Sequence, residues 1–167
     1  FTYSLNKENR FIKINAIFDE MIPKGSIINL ENNLRSIYEL NYCRIYTIYS
    51  SEMFNKLVTQ SANERNILFN EIIDELKRDY AFINGYFEGA EFEFKEGNLN
   101  IVLRPGLDLL PKLSDCEREI SASIKREFGV DYTVSVSAPA FSEDLYKKEI
   151  LDFYAVNTPT FAAAHDV

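Results

Sequence analysis

Few residues in this chain have the types and spacing that chemistry needs. His165 is the sole histidine. Apart from Asp166 beside it, no cysteine or carboxylate stands at ligand spacing, so it reads as a solvated side chain rather than a general base or a zinc ligand. The carboxylate pairs Asp19-Glu20, Glu117/Glu119 and Glu143-Asp144 offer oxygen ligands of the kind a hard cation takes, but solvated acids in turns and on helix faces explain them more simply. Cys43 and Cys116 each fall within an apolar periodicity, which favours small buried thiols over a disulfide or a metal pair. No Gly-x-x-x-x-Gly-Lys-Ser/Thr loop, no Gly-x-Gly-x-x-Gly turn and no hydrolase triad is present in the sequence. The expectation is therefore no catalytic, cofactor-binding or metal site.

Charge bears on partners. The 167 residues carry a formal net charge of −8, whereas nucleic-acid binding normally needs clustered Lys and Arg to replace counterions. Residues 1–50 hold 6 basic and 5 acidic side chains, and every later segment is acidic in balance. With 46% hydrophobic residues the chain can bury a core. No apolar run approaches the roughly 20 residues of a membrane span, and a cytoplasmic location is expected.

The elements that would position any site organise around Glu91 to Ser137. Phe92 and Phe94 alternate with Glu91, Glu93 and Lys95, the period of a half-buried strand. Glu96-Gly97-Asn98 supplies a turn, with Gly97 and Asn98 the residues suited to positive φ. Leu99, Ile101 and Leu103 then alternate with polar neighbours. From about Leu109 to Phe128 the apolar positions Leu113, Cys116, Ile120, Ile124 and Phe128 draw one helical stripe, which Gly129 ends. Tyr132, Val134 and Val136 mark a closing strand, so the unit reads ββαβ.

Residues 1–50 read the same way. Phe1–Leu5 and Phe11–Phe18 form a hairpin. A helix capped by Ser26 follows, with the stripe Ile27, Leu30, Leu34, Ile37 and Tyr38, and Tyr42–Tyr49 is a strand. Tyr3-Ser4-Leu5 lies against Phe92-Glu93-Phe94 when the two units are aligned. Residues 51–90 form a helical connector: Ser50 or Ser51 caps a short helix, and Ser61-Ala-Asn-Glu64 is a capping box opening a longer one to about Tyr80. The aromatic segment Tyr80–Gly89 is expected to pack the connector onto the second unit. Residues 138–167 read as a helix from Ser142 to about Tyr154 and a linker-like end.

The strand Tyr42–Tyr49 carries apolar or aromatic residues on both faces, which a strand covered on one side does not need. Either both faces are core, or Tyr42, Arg44, Tyr46 and Ile48 form a partner surface, since Tyr and Arg dominate binding energy at interfaces. Tyr42, Tyr46, Tyr86 and Phe87 could also stack bases on a sheet face.

Ser4-Leu5-Asn6-Lys7-Glu8-Asn9-Arg10, Gly97-Asn98-Leu99-Asn100-Ile101-Val102-Leu103 and Arg126-Glu127-Phe128-Gly129-Val130, in that order and with the connector between, resemble the N-terminal region of the PolC-type DNA polymerase III alpha subunit. The resemblance covers about residues 3–137. It implies an α+β fold of two small subdomains, the second similar to a type II KH fold. It also implies an accessory role in a replicative DNA polymerase with proofreading exonuclease. The magnesium that such a polymerase uses is implied for domains outside this sequence, so no catalytic residue carries over. KH folds clamp nucleic acid with a Gly-x-x-Gly loop; here Gly85-Tyr-Phe-Glu-Gly89 has different spacing and an acidic residue inside. Protein contact with other replisome components or neighbouring polymerase domains is therefore expected ahead of single-stranded nucleic-acid binding.

Overall fold

A computed structural model of the chain describes residues 1–80, 83, 85–107, 113–140, 142–144 and 147. Its elements run β1 (Thr2–Asn6), β2 (Phe11–Ile17), α1 (Lys24–Ile37), β3 (Tyr42–Ile48), α2 (Ser51–Thr59), α3 (Ala62–Asp79), β4 (Glu91–Lys95), β5 (Asn98–Val102), α4 (Leu113–Phe128) and β6 (Thr133–Ser137). The class is α+β, with two separate three-stranded sheets ordered β1-β2-β3 and β4-β5-β6. In each unit the first two strands pair antiparallel, and the helix returns the chain to a third strand parallel to the second. The correspondence extends to register. The row Tyr3–Ile14–Ile45 in the first sheet answers to Phe92–Ile101–Val136 in the second, which keeps the match of Tyr3 with Phe92 that the sequence pattern implied. Most of the expected tail helix, the end with His165, and residues 108–112 ahead of α4 lie outside the described residues.

In the second unit the alternation works as read. Leu99, Ile101, Val134 and Val136 are buried, as are Cys116, Ile120, Ile124 and Phe128 of α4. The β4–β5 turn differs in one respect. Lys95 pairs with Asn98, so the two turn residues are Glu96 and Gly97, both at positive φ (43° and 81°). Asn98 instead enters the strand, and its side-chain amide donates to the Glu96 carbonyl at 3.2 Å. Two central residues at positive φ match the right-handed twist of the flanking strands.

The connector helices belong to the same apolar core. Ser50 accepts from the Met53 amide to cap α2, and Ser61 and Glu64 form the expected reciprocal capping box on α3. Phe54 of α2 packs against Phe94, Phe128 and Tyr132 at ring-centroid distances of 6.2, 5.1 and 5.2 Å. Phe69 of α3 stacks on Phe92 at 4.1 Å. Ile83 and Phe87, from the aromatic segment, are buried in this cluster as well; Phe87 is thus core rather than an exposed stacking platform.

The first unit departs most from expectation. Of the stripe Ile27, Leu30, Leu34, Ile37 and Tyr38, only Ile27 is buried; Leu34 is half-buried and the other three are exposed. The positions that α1 buries are Lys24, Ile27 and Glu31. Its start moves too, from Ser26 to Lys24 with Pro23 preceding. The Lys24 amide donates to the Glu71 carboxylate of α3 at 2.7 Å, a cap supplied across the fold, so Ser26 is not needed for one. The face of α1 that meets the rest of the protein is charged because what it meets is charged.

Candidate functional site

The first sheet has two faces of different fate. One carries Cys43, Ile45 and Thr47 of β3, all buried, and lies toward α1. The opposite face carries, in register, Phe11 beside Tyr42, Lys13 beside Arg44, Asn15 beside Tyr46 and Ile17 beside Ile48. Strand alternation alone puts these eight on one surface. Tyr42 and Ile17 are exposed, while Phe11, Tyr46 and Ile48 are half-buried.

This face is ordered by aromatic and cationic contacts. Phe11 and Tyr42 stack with centroids 4.4 Å apart and planes at 9°, and Lys13 Nζ stands 5.4 Å from the Phe11 ring. Tyr46 lies between two guanidinium groups, Arg44 Cζ at 5.5 Å and Arg126 Cζ at 5.4 Å from its centroid. Cations over aromatic faces are attracted by the ring quadrupole and hold the rings in place. Burial foremost raises the Tyr42 phenol above its usual range, with the neighbouring Tyr46, Asp79 and Glu31 adding to the effect and Arg44 opposing it.

Of the four residues singled out on β3, Tyr42, Tyr46 and Ile48 remain at this surface. Arg44 is 6% exposed and turns its guanidinium inward, with Nη2 3.0 Å from both Glu75 Oε1 and Asp79 Oδ1. The second face of β3 is thus partly spoken for by α3. That face is neither wholly core nor wholly open: Arg44 is buried, Tyr46 and Ile48 are half-buried and Tyr42 is exposed.

Beneath the open face lies a feature the sequence did not reveal. Glu75 of α3, 1% exposed, is approached by four cations from four elements: Lys24 at 3.5 Å, Arg44 at 3.0 Å, Arg78 at 2.8 Å and Arg126 at 3.1 Å. Lys24, equally buried, reaches Thr47 Oγ1 at 2.6 Å and Glu127 Oε2 at 2.7 Å. Arg78 also bonds Glu31, whose carboxylate accepts from the Ile45 amide on the outer edge of β3. Lys24, Arg44, Arg78 and Arg126 against Glu31, Glu75, Asp79 and Glu127 make the cluster neutral in sum. Charges this deep persist only when paired and hydrogen-bonded.

The titrations follow from the geometry. Burial alone would raise Glu75, but Lys24, Arg78, Arg44 and Arg126 together bring it below the ordinary carboxylate range. Glu127 goes the other way: burial and the Glu75 charge raise it, and Lys24 and Arg126 offset only part. Arg78 is held above its usual value because Glu75 and Glu31 outweigh the effect of burial.

Elsewhere, the outer face of the second sheet presents Glu91, Glu93, Lys95, Asn98, Asn100, Thr133 and Ser135, polar and exposed. Cys43 and Cys116 are buried free thiols. Among the described residues no group of three or more His, Cys, Asp or Glu is placed to hold a metal ion, and no helix is long and apolar enough to cross a membrane. A small cavity of about 120 Å³ lined by Leu76, Tyr80, Ile83 and Cys116 lies between α3 and α4. No protein-family model, no curated protein and no solved structure matches the chain.

Proposed function

We propose that this chain is a non-catalytic interaction module, the N-terminal accessory region of a PolC-type replicative DNA polymerase III, and that it docks a protein partner through the open face of its first sheet. The observation that carries the docking reading is the row of Phe11, Tyr42 and Tyr46, fixed by stacking and by Lys13, Arg44 and Arg126. Rigid aromatics backed by guanidinium groups supply contact area at low ordering cost, which is what interface hot spots require. The polymerase assignment rests on the sequence resemblance over residues 3–137. The partner in that setting is another replisome protein or a neighbouring polymerase domain.

A Tyr46→Ser, Ile48→Ser double variant, joined by Tyr42→Ser alone as the gentler change, tests docking against purified replisome components by biolayer interferometry. Folding that persists with capture reduced at least tenfold supports the reading; unchanged capture by a folded variant rejects it. The gene supplies a separate check on the polymerase, because a polymerase reading frame should continue past codon 167.

One observation favours a second reading. Phe11 and Tyr42 beside Lys13 also make the kind of platform on which single-stranded bases stack. The net charge of −8 weighs against it, and a fluorescence-anisotropy titration with a short single-stranded oligonucleotide separates the two.

A further inference from the structure

The two units differ at one equivalent place, the free edge strand. β4 is guarded: Glu91, Glu93 and Lys95 stand on its outer face, Phe92 is stacked under Phe69 at 4.1 Å, and Phe94 is packed by Phe54 and Tyr132. β1 occupies the same position in the first sheet, with no described strand on its outer side. It has the sequence Thr2-Tyr3-Ser4-Leu5-Asn6, without charge, proline or bulge. Tyr3 and Leu5 remain 65% and 47% exposed. Proteins normally blunt such edges with charge, proline or a cover, because an open edge recruits another strand. The exposure extends across this unit: nine of the eleven large apolar residues exposed among the described residues lie within residues 1–50.

We propose that β1 is a homodimerisation edge, at which two copies of this chain pair their β1 strands antiparallel about a two-fold axis passing at Ser4. The strand is self-complementary in that register. Ser4 meets the partner's Ser4, Tyr3 meets the partner's Leu5, and Thr2 meets the partner's Asn6. Aromatic–aliphatic cross-strand pairs stabilise a ladder, and no like charges face each other. The same operation on β4 would set Glu93 against its own copy. Electrostatics favour this unit for self-association as well, since residues 1–50 sum to +1 while the remainder sums to −9. The joined sheets would bring two open docking faces onto one continuous surface. The inference stands on the edge and not on the docking reading, so either can fail alone.

Sedimentation equilibrium of the 167-residue chain, from about 1 to 300 μM at physiological salt, is the test. The expected mass rises from 19.3 kDa toward twice that value. Ser4→Lys places like charges across the axis and should weaken dimerisation at least tenfold with the far-UV circular dichroism unchanged, whereas Glu93→Ser should leave it as it is. Ser4→Cys supplies a readout that does not depend on the lysine variant folding. Directly opposed residues in an antiparallel ladder have Cα atoms about 4.5–5.5 Å apart, within disulfide range, and the native thiols Cys43 and Cys116 are buried. Mild oxidation should therefore give a covalent dimer. A wild-type chain that stays monomeric throughout, a dimer that Ser4→Lys does not weaken, or a Ser4→Cys chain that does not cross-link would each overturn the proposal.

Discussion

Lys24 and Glu127 stand 103 positions apart in the chain, yet the lysine Nζ lies 2.7 Å from the glutamate Oε2, with both side chains almost wholly buried. One opens α1 of the first unit and the other closes α4 of the second. The pair, together with Glu75 between them, makes the joint between the two units an ionic one. The connector and the second unit share an apolar core, which the first unit enters mainly through Tyr49, stacked on Phe128 at 5.2 Å.

Glu75→Gln is accordingly expected to be among the most damaging single changes. It leaves Lys24, Arg44, Arg78 and Arg126 without their common anion, and breaking a buried pair costs about 3–5 kcal/mol. Urea denaturation followed by circular dichroism reads the loss. A cost under about 1 kcal/mol would mean that the cluster is solvated and does not bind the units together.

Acid should act on the cluster in two opposing senses. The folded Glu75 titrates below its unfolded value of about 4.3, so its stabilisation is present above that pH and is lost as pH falls through the lower folded value. Glu127 is raised; its contribution is fully present below about pH 4.3 and declines as pH rises through its folded value. Stability curves in urea against pH for Glu75→Gln and Glu127→Gln should therefore differ in slope. The first variant loses less stability than wild type on acidification, and the second loses less on raising pH from about 4 toward neutrality.

Core truncations should rank the two units. Ile120→Ala and Ile124→Ala, at fully buried positions, are each expected to cost about 2–5 kcal/mol. Leu34→Ala, half-buried on α1, should cost less than either, and Leu30→Ala, exposed, should stay within about 0.5 kcal/mol. Chemical denaturation of the four variants gives the order directly.

The repeat was legible in the sequence because strand and helix periods are local: Phe92-Glu93-Phe94 and Ile120/Ile124 declare their faces without reference to anything distant. The capping box at Ser61 and Glu64 was legible for the same reason. The buried charges were not. Lys24, Glu31, Glu75 and Glu127 have the types of solvated residues, and their partners come from other elements, so an apolar-stripe argument turned Ile27 and Leu34 of α1 inward as found but took Leu30, Ile37 and Tyr38 with them in place of Lys24 and Glu31. The start of α1 was missed because Glu71 caps it from α3. Of the β3 surface, Tyr42, Tyr46 and Ile48 were placed by alternation, while the inward turn of Arg44 depended on Glu75 and Asp79. One signal was present: Glu75 stands three residues after Ile72 and seven after Leu68, on the same side of α3 as these two apolar residues, where a solvated acid is unusual.

Nucleic-acid affinity is expected to be low. Anisotropy with a single-stranded oligonucleotide at physiological salt should give a Kd no tighter than about 0.1 mM, the non-specific regime. Micromolar binding with a steep salt dependence, lost in Tyr42→Ser, would assign the open face to single-strand recognition in place of the proposed protein docking.

The proposed docking through the first sheet is tested most directly by amide chemical-shift mapping on the isotope-labelled chain during titration with purified replisome components, the partners proposed for it. The shifts are predicted to cluster on Phe11, Lys13, Asn15, Tyr42, Tyr46 and Ile48, with Glu93, Asn100 and Ser135 on the outer face of the second sheet unmoved. Perturbations centred on that second-sheet face, or shifts on the first sheet that survive unchanged in a folded Tyr42→Ser, Tyr46→Ser chain, would contradict the account.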